Sequence, residues 1–204
     1  MALNIFNKPQ SFIKIKKMII QFCGLSGAGK STLAREAEKQ LQQLGIEVEI
    51  IDGDEYRATL CKGLGFSRQD RFENMRRMAF VAHQLSKHNI VAIICAINPY
   101  DEIRSEISTT YPGVVTMHID CSVEVLKSRD TKGLYQKAFL PAGHPQKLHN
   151  LTGINDTFDT PSQPDLYINT DADTIINCSG KIVEFVQETL AKGLFAKVPA
   201  MENN

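Results

Sequence analysis

The chain of 204 residues contains no tryptophan, no excess of either charge and no long apolar run. Lys plus Arg number 23, as do Asp plus Glu, so the chain lacks the global basic field typical of proteins that bind nucleic acid polymers or anionic membranes. No apolar stretch approaches the roughly 20 residues that a membrane-spanning helix needs. We therefore expect a soluble protein whose partners are neither membranes nor nucleic acid polymers.

The five cysteines form no C-x-x-C pair, and their number is odd. They are widely spaced and lie mostly within apolar runs, which predicts reduced, buried thiols and a cytoplasmic protein rather than a disulfide scaffold. Residues 1–17 alternate apolar and basic residues but lack the apolar core of a secretory signal. We interpret them as an N-terminal extension.

Short apolar segments alternate with amphipathic segments over residues 18–195. Strands are predicted near residues 18–23, 48–51, 90–97, 114–119 and 166–168, and helical patterns separate most of them. This alternation predicts a single α/β domain of three layers, with a parallel sheet of about five strands and helices on both faces. Residues 130–164 are too long and too rich in Gly, Pro, Asn, Asp and Thr for an ordinary connection, so we interpret them as a lid. Residues 196–204 are expected to form a flexible tail.

A glycine-rich segment, G-L-S-G-A-G-K-S-T, follows the first predicted strand and precedes a predicted helix. It matches the P-loop pattern G-x-x-x-x-G-K-[ST] at every fixed position. Glycine lets successive backbone N–H groups point at phosphate oxygens beside a helix N-terminus, Lys30 adds a charge near the outer phosphates, and the Ser31 hydroxyl binds Mg²⁺. The sequence thus predicts a P-loop NTPase fold that binds ATP or GTP. The nucleotide is expected to contact Gly24, Leu25, Ser26, Gly27, Ala28, Gly29, Lys30, Ser31 and Thr32.

Two carboxylates, Asp52 and Asp54, follow the second predicted strand, where parallel sheets bind their ligands. Asp54 would orient or deprotonate an acceptor hydroxyl, and Asp52 would complete a magnesium site with Ser31. The same pattern is compatible with an acidic turn in which Asp54 caps a helix. In the predicted lid, Arg129 and Lys132 could offset charge on a transferring phosphoryl group.

Four arginines occur within ten positions, residues 68–77, of a chain without net charge. Such a cluster suits an anionic ligand. Arg71 and Asn74 share one face of the predicted helix, so both could contact one ligand. Arg76 and Arg77 are equally compatible with a solvated basic face.

Taken in order, these motifs resemble those of adenylylsulfate kinases, which phosphorylate the 3′-hydroxyl of adenosine 5′-phosphosulfate (APS) to give PAPS. The resemblance covers about residues 18–170. Besides the P-loop it rests on D-G-D-x-x-R, L-G-F-S-x-x-D-R-x-E-N-x-R-R, I-N-P, R-D-x-K-G-L-Y and L-T-G-I-N-D at residues 52–57, 64–77, 97–99, 129–135 and 151–156. It implies an ATP- and Mg²⁺-dependent kinase of sulfate assimilation that forms a homodimer.

Residue patterns and resemblance together assign the site. Catalysis is expected to depend on Lys30, Asp52, Asp54 and Lys132, and the ATP phosphates are also expected to contact Arg129. APS is expected to contact Asp54, Arg57, Phe66, Arg71, Asn74, Ile97, Asn98, Lys132 and Leu151, with Phe66 stacking near its adenine.

The chain departs from the family pattern at three positions: Asn98 stands where serine is usual, Phe139 where arginine is expected, and Leu151 where an aromatic residue would stack on the acceptor base. Two alternatives therefore stay open. One is a kinase of the same build that acts on another nucleotide-linked acceptor, for instance in surface-polysaccharide modification. The other is a nucleotide-binding regulatory module without an acceptor.

Overall fold

A computed structural model describes residues 17–192 of the chain, so the tail and, apart from Lys17, the N-terminal extension lie outside the described residues. The strands are β1 (Ile19–Cys23), β2 (Val48–Asp52), β3 (Val91–Cys95), β4 (Val114–Asp120) and β5 (Leu166–Asn169). The helices are α1 (Lys30–Gln43), α2 (Gly53–Ala58), α3 (Arg68–Ser86), α4 (Asp101–Thr110), α5 (Val123–Arg129), α6 (Leu134–Ala138) and α7 (Ile175–Lys192).

The strands form one parallel sheet in the order β2-β3-β1-β4-β5. Ile19 of β1 pairs with Ala92 on one side and with Val114 on the other. Because parallel neighbours need crossover connections, helices alternate with the strands along the chain. The predicted five-stranded P-loop fold is confirmed.

Each face of the sheet has its own apolar core, because successive strand side chains point to opposite faces. Ile20 and Phe22 of β1 pack in one buried cluster with residues of α1 and α7, such as Leu41 and Ile182. Ile19 packs in a second cluster with residues of α3 and α4. The sheet is therefore the middle of three layers, as predicted.

Helix α2 was not predicted, because its six residues are mostly polar and show no helical period. Its N-cap is Asp52, whose Oδ1 accepts a hydrogen bond from the N–H of Asp54 at 2.9 Å. The alternative in which Asp54 caps a helix is therefore wrong: Asp54 lies in the first turn of α2, and its carboxylate does not cap it.

The lid segment, residues 130–164, contains the unpredicted short helix α6 and packs closely on the P-loop. The Tyr135 hydroxyl donates a hydrogen bond to Ser26 O at 2.7 Å. Gly153 lies against the side chain of Leu25, so close that a Cβ on Gly153 would be 2.4 Å from a Leu25 methyl carbon. The lid segment thus shares a surface with two P-loop residues.

All five cysteines are free and buried, as predicted. Over residues 17–192, no helix combines the length and apolar character that crossing a bilayer requires.

Candidate active site

A cavity of about 540 Å³ opens at the carboxyl ends of β1, β2 and β3. Its size lies within the range typical of small-molecule sites. It is lined by residues 26–33, 52–54, 57, 66, 71, 74–75, 95–99, 129, 131–132, 170, 173, 175 and 178. One cavity therefore contains the P-loop, both predicted carboxylates and part of the arginine cluster.

The P-loop connects β1 to the N-terminus of α1. Gly24 has a φ of 150°, and a Cβ there would lie 2.1 Å from Ile119 O, so the tight approach to β4 requires glycine. Lys30 Nζ donates hydrogen bonds to Gly24 O at 2.9 Å and to Leu25 O at 2.7 Å. Gly24 and Leu25 thus lie behind the cavity lining and hold the lysine, whereas residues 26–32 line the cavity itself.

Burial lowers the pKa of Lys30 from its ordinary 10.5 to about 8, because desolvation penalises the charged ammonium. A bound triphosphate would favour the charged ammonium and raise this pKa again. The first N–H groups of α1, which lack intrahelical partners, begin at this lysine and favour an anion.

Ser31 and Asp52 form an oxygen-rich pair beside the P-loop. Ser31 Oγ donates a hydrogen bond to Asp52 Oδ2 at 2.6 Å, and both residues line the cavity. A hydroxyl and a carboxylate are the hard oxygen ligands that Mg²⁺ prefers, usually with several waters retained. The two predicted metal-binding residues therefore fit Mg²⁺.

Asp54 and Lys132 form an ion pair across the cavity, the first from α2 and the second from the lid segment. Their side chains are 77% and 57% exposed, and such exposed pairs stabilise a protein by no more than about 1 kcal/mol. Either group can therefore exchange its partner for a ligand at small cost.

Phe66 lies in the part of the cavity away from the P-loop, beside two arginines; we call this part the arginine-rich half. Its ring centroid is 4.6 Å from the guanidinium carbon of Arg57 and 5.7 Å from that of Arg71, and the residue is 55% exposed. Burial, together with the charge of Arg71, lowers the pKa of Arg57. Two cations beside an exposed aromatic ring suit an anion that carries a planar base.

Arg71 is buried and joins helix α3 to the lid segment. Its Nη2 donates hydrogen bonds to Asp156 Oδ2 at 2.9 Å and to Asn150 O at 3.2 Å. By contrast, Arg76 and Arg77 form partly exposed ion pairs with glutamates. Arg76 and Arg77 thus form a solvated basic face, which was one of the two interpretations of the sequence. Among the four arginines of residues 68–77, Arg71 is the one that lines the cavity.

Asn74, Ile97 and Asn98 form the floor of this arginine-rich half. Asn74 and Asn98 are buried, and the Oδ1 atom of each has no hydrogen-bond partner among residues 17–192. Asn98 has a φ of 48°, in the left-handed region, and its Nδ2 donates to Gln21 Oε1 at 3.1 Å. Ile97 O accepts a hydrogen bond from Gly24 N at 3.1 Å, which links the floor to the P-loop.

The end of the cavity opposite the arginine-rich half contains residues that the sequence did not predict: Thr170, Asp173, Ile175 and Cys178. The predicted Arg129 lies with them, and its Nη2 donates to Thr170 O at 2.6 Å. Thr170 directly follows β5, so the rule that ligands bind beyond the carboxyl ends of strands could have identified it.

Leu151 does not line the cavity. It is 4% exposed and packs in the core cluster on the α1 and α7 side of the sheet. The expectation that Leu151 contacts the acceptor is therefore corrected: its aliphatic side chain is buried in the core, which leaves no surface for a ligand in this arrangement.

A family model described as adenylylsulphate kinase matches residues 16–169, which is most of the chain. The chain belongs to the adenylylsulphate kinase family. The adenylyl-sulfate kinase of Chloroflexus aurantiacus is 42% identical to it over 161 residues, which are 79% of this chain and 84% of that protein.

Solved structures of adenylylsulphate kinases are similar as well. The APS kinase CysC of Mycobacterium tuberculosis, in complex with AMPPNP and APS, has a TM-score of 0.76 at 30% identity and covers 84% of this chain and 98% of that one. The hexameric APS kinase from Thiobacillus denitrificans has a TM-score of 0.63 at 27% identity and covers 86% of this chain and 30% of that one. The chain is a P-loop kinase, which argues against the regulatory-module alternative.

The three departures from the adenylylsulphate kinase pattern differ in their distance from the cavity. Phe139 is 51% exposed and lies outside the cavity lining. Its ring centroid is 4.5 Å from the Nζ atom of Lys127. Leu151 lies in the core. Asn98 is the one of the three that lines the cavity.

Proposed function

We propose that the chain transfers the γ-phosphoryl group of ATP to the 3′-hydroxyl of APS, giving PAPS and ADP. The observation that carries this proposal is that one cavity joins a P-loop to a half lined by two arginines and an exposed phenylalanine. The family match supports the acceptor, as does the similar Mycobacterium tuberculosis structure, which contains both AMPPNP and APS.

The donor would occupy the P-loop end. Lys30 would exchange its bonds to Gly24 O and Leu25 O for the outer phosphates, and Arg129 would contact the nucleotide at the far end beside Thr170. Phosphoryl transfer requires positioning and charge neutralisation more than covalent chemistry. These cations supply that neutralisation.

Mg²⁺ is part of the proposal, with Ser31 and Asp52 as the residues that would hold it. When bound, the ion would offset negative charge on the outer phosphates. The Ser31 hydroxyl and the Asp52 carboxylate would then be oriented by the ion instead of by each other.

The acceptor would occupy the arginine-rich half. Arg57 and Arg71 would bind its anionic phosphosulfate, and Phe66 would stack on its base. The unpartnered Oδ1 of Asn74 would accept a hydrogen bond from the acceptor.

Asp54 would align the 3′-hydroxyl and accept its proton as the bond to phosphorus forms. Its carboxylate is exposed in the cavity and held there by Lys132. Once ATP binds, Lys132 would turn to the transferring group, which frees Asp54 for the hydroxyl.

A homodimer is a further part of the proposal and has its support from family resemblance. Light scattering on the purified protein would give twice the 22.8 kDa of one chain; a single-chain mass would contradict it. The cytoplasmic location stays a prediction, with the five free thiols in its favour.

The test is an ADP-release assay with saturating ATP and APS, adenosine 5′-phosphate or a nucleotide-linked sugar as the acceptor. Of these three acceptors, we expect only APS to give high turnover at a low acceptor concentration. High turnover with a nucleotide-linked sugar instead would replace this function by the surface-polysaccharide alternative.

Asp54→Asn tests the mechanism within the same assay. We expect kcat to fall by about 100-fold or more, the scale of general-base catalysis, with the affinity for an ATP analogue unchanged. Glu55→Gln is the matched control, because Glu55 is the next, exposed carboxylate of α2 and does not line the cavity. Unchanged turnover in Asp54→Asn would remove Asp54 from the mechanism.

A further inference from the structure

Arg104 on α4 is a buried cation outside the cavity lining, and its guanidinium binds two backbone carbonyls. Arg104 is 2% exposed. Nη1 donates to Asn98 O at 2.7 Å, and Nη2 donates to Asp159 O at 2.5 Å and to Asp101 Oδ1 at 3.2 Å. The carboxylate of Asp101 is 68% exposed, so the two carbonyls are the buried partners of this charge.

The first carbonyl belongs to the floor of the arginine-rich half. Asn98 has a left-handed backbone conformation, which asparagine adopts more often than other non-glycine residues but which stays uncommon, so neighbouring contacts help to hold it. Arg104 binds its carbonyl while Gln21 binds its side chain. Gln21 Nε2 also donates to Arg104 O at 3.1 Å, so the three residues form one buried network.

The second carbonyl belongs to the end of the lid segment. Asp159 N donates to Pro99 O at 2.7 Å, and Asp159 Oδ2 accepts from Asp101 N at 3.1 Å. The guanidinium of Arg104 therefore joins the cavity floor at residues 98–99 to the C-terminal part of the lid segment.

We propose that Arg104 is a positioning residue for the acceptor. It holds the floor at Asn98 and the lid segment at Asp159 in the relative position that acceptor binding requires. This inference rests on the proposed function. Arginine suits the task because its planar fork donates in two fixed directions, whereas a lysine ammonium is a point donor on a flexible stem. Arg104 does not line the cavity, so its effect would reach the reaction through Asn98 and the lid segment.

The test compares Arg104→Met and Arg104→Lys with the wild type. We expect the KM for APS to rise by about tenfold or more in both, because a displacement of about 1 Å in a binding site has effects of this size. The dissociation constant of a nonhydrolysable ATP analogue should stay within about twofold, since within the described part of the chain one backbone hydrogen bond, from Gly24 N to Ile97 O, joins the P-loop to the floor.

Arg76→Met is the matched control. It removes another arginine that pairs with α4, and the hydrogen bonds of this arginine go to the partly exposed Glu106 instead of to the floor or the lid segment. Its KM for APS should equal that of the wild type. A lower melting temperature in the Arg104 variants with an unchanged KM for APS would show a merely structural role and overturn the inference.

Asp159→Ala decides the matter if neither Arg104 variant folds. Asp159 is exposed, and its side-chain bond to Asp101 N helps to hold the backbone whose carbonyl binds Arg104, so the change loosens this end of the lid segment without touching the arginine. We expect a smaller rise in the KM for APS than in the Arg104 variants. An unchanged KM would show that the acceptor half does not depend on how the lid segment is held at Asp159, and would overturn the inference. A wild-type protein without APS-dependent turnover would overturn the proposed function itself, which distinguishes the two failures.

Discussion

The pKa of Lys30 is expected to change when the nucleotide binds, and this change can be measured. Its ammonium donates to Gly24 O and Leu25 O from a partly buried position, and desolvation lowers its pKa to about 8. A triphosphate beside this lysine favours the charged form and raises the pKa again. The protein must therefore take up a proton when it binds MgATP at alkaline pH.

The size of this uptake follows from the pKa of the free protein. With a pKa of about 8 in the free protein, Lys30 is mostly protonated at pH 7 and mostly neutral at pH 9, so the proton uptake on MgATP binding should be small at pH 7 and grow as the pH rises through 8 toward 9. Cys23 and Cys95 interact with this lysine, but burial raises the pKa of each thiol, to about 11 and about 12, so neither ionises in this window. The affinity for MgATP should accordingly decline as the pH rises above 8.

Isothermal titration calorimetry in buffers of different ionisation enthalpy measures the uptake directly. Lys30→Arg should retain some affinity and lose the uptake, because a guanidinium stays charged throughout this range. Lys39→Met, which changes an exposed lysine of α1, should keep the wild-type profile. Uptake that is absent in the wild type at pH 9, or unchanged in Lys30→Arg, would refute the reasoning.

Three further changes test the surfaces around the cavity. Tyr135→Phe removes the hydrogen bond to Ser26 O; we expect a loss of about 1 kcal/mol in the free energy of unfolding and a higher KM for ATP, and an unchanged KM would separate the lid segment from the P-loop. Gly153→Ala places a Cβ against Leu25 at a φ of 82°, and should lower the stability by about 1–3 kcal/mol in a thermal melt followed by circular dichroism, whereas a wild-type melt would contradict the packing. Phe66→Leu should raise the KM for APS by an amount equivalent to about 1–3 kcal/mol of stacking and leave that for ATP unchanged; equal effects on both would contradict the assignment of the two halves.

The sheet was predictable because its strands are short apolar runs bounded by glycine, proline or polar residues, and because the P-loop marks where the first strand ends. Helix α1 was predictable from apolar residues that repeat on one face, such as Leu33 and Leu41, and α7 from a similar repeat that includes Ile182 and Val186. These are local signals, so a single sequence carries them.

The two short helices were missed because they are too short to show a period, and the position of Leu151 because it depends on contacts between distant parts of the chain. Helix α2 has its N-cap at the adjacent Asp52 and no apolar period, and the five-residue α6 begins where Asp130 accepts hydrogen bonds from Tyr135 N and Gln136 N. Leu151 lies in a segment without periodicity, and only the packed structure shows that it belongs to the core. The ion pair of Lys132 with Asp54 is likewise a contact between residues 78 positions apart, which spacing alone does not reveal.

A crystal structure with APS and a nonhydrolysable ATP analogue tests the central claim most directly. We predict the triphosphate on the P-loop beside Lys30, and APS among Arg57, Phe66 and Arg71 with its 3′-oxygen directed at the γ-phosphorus and next to Asp54. APS bound outside this cavity, or with its 3′-oxygen directed away from the γ-phosphorus, would contradict the account.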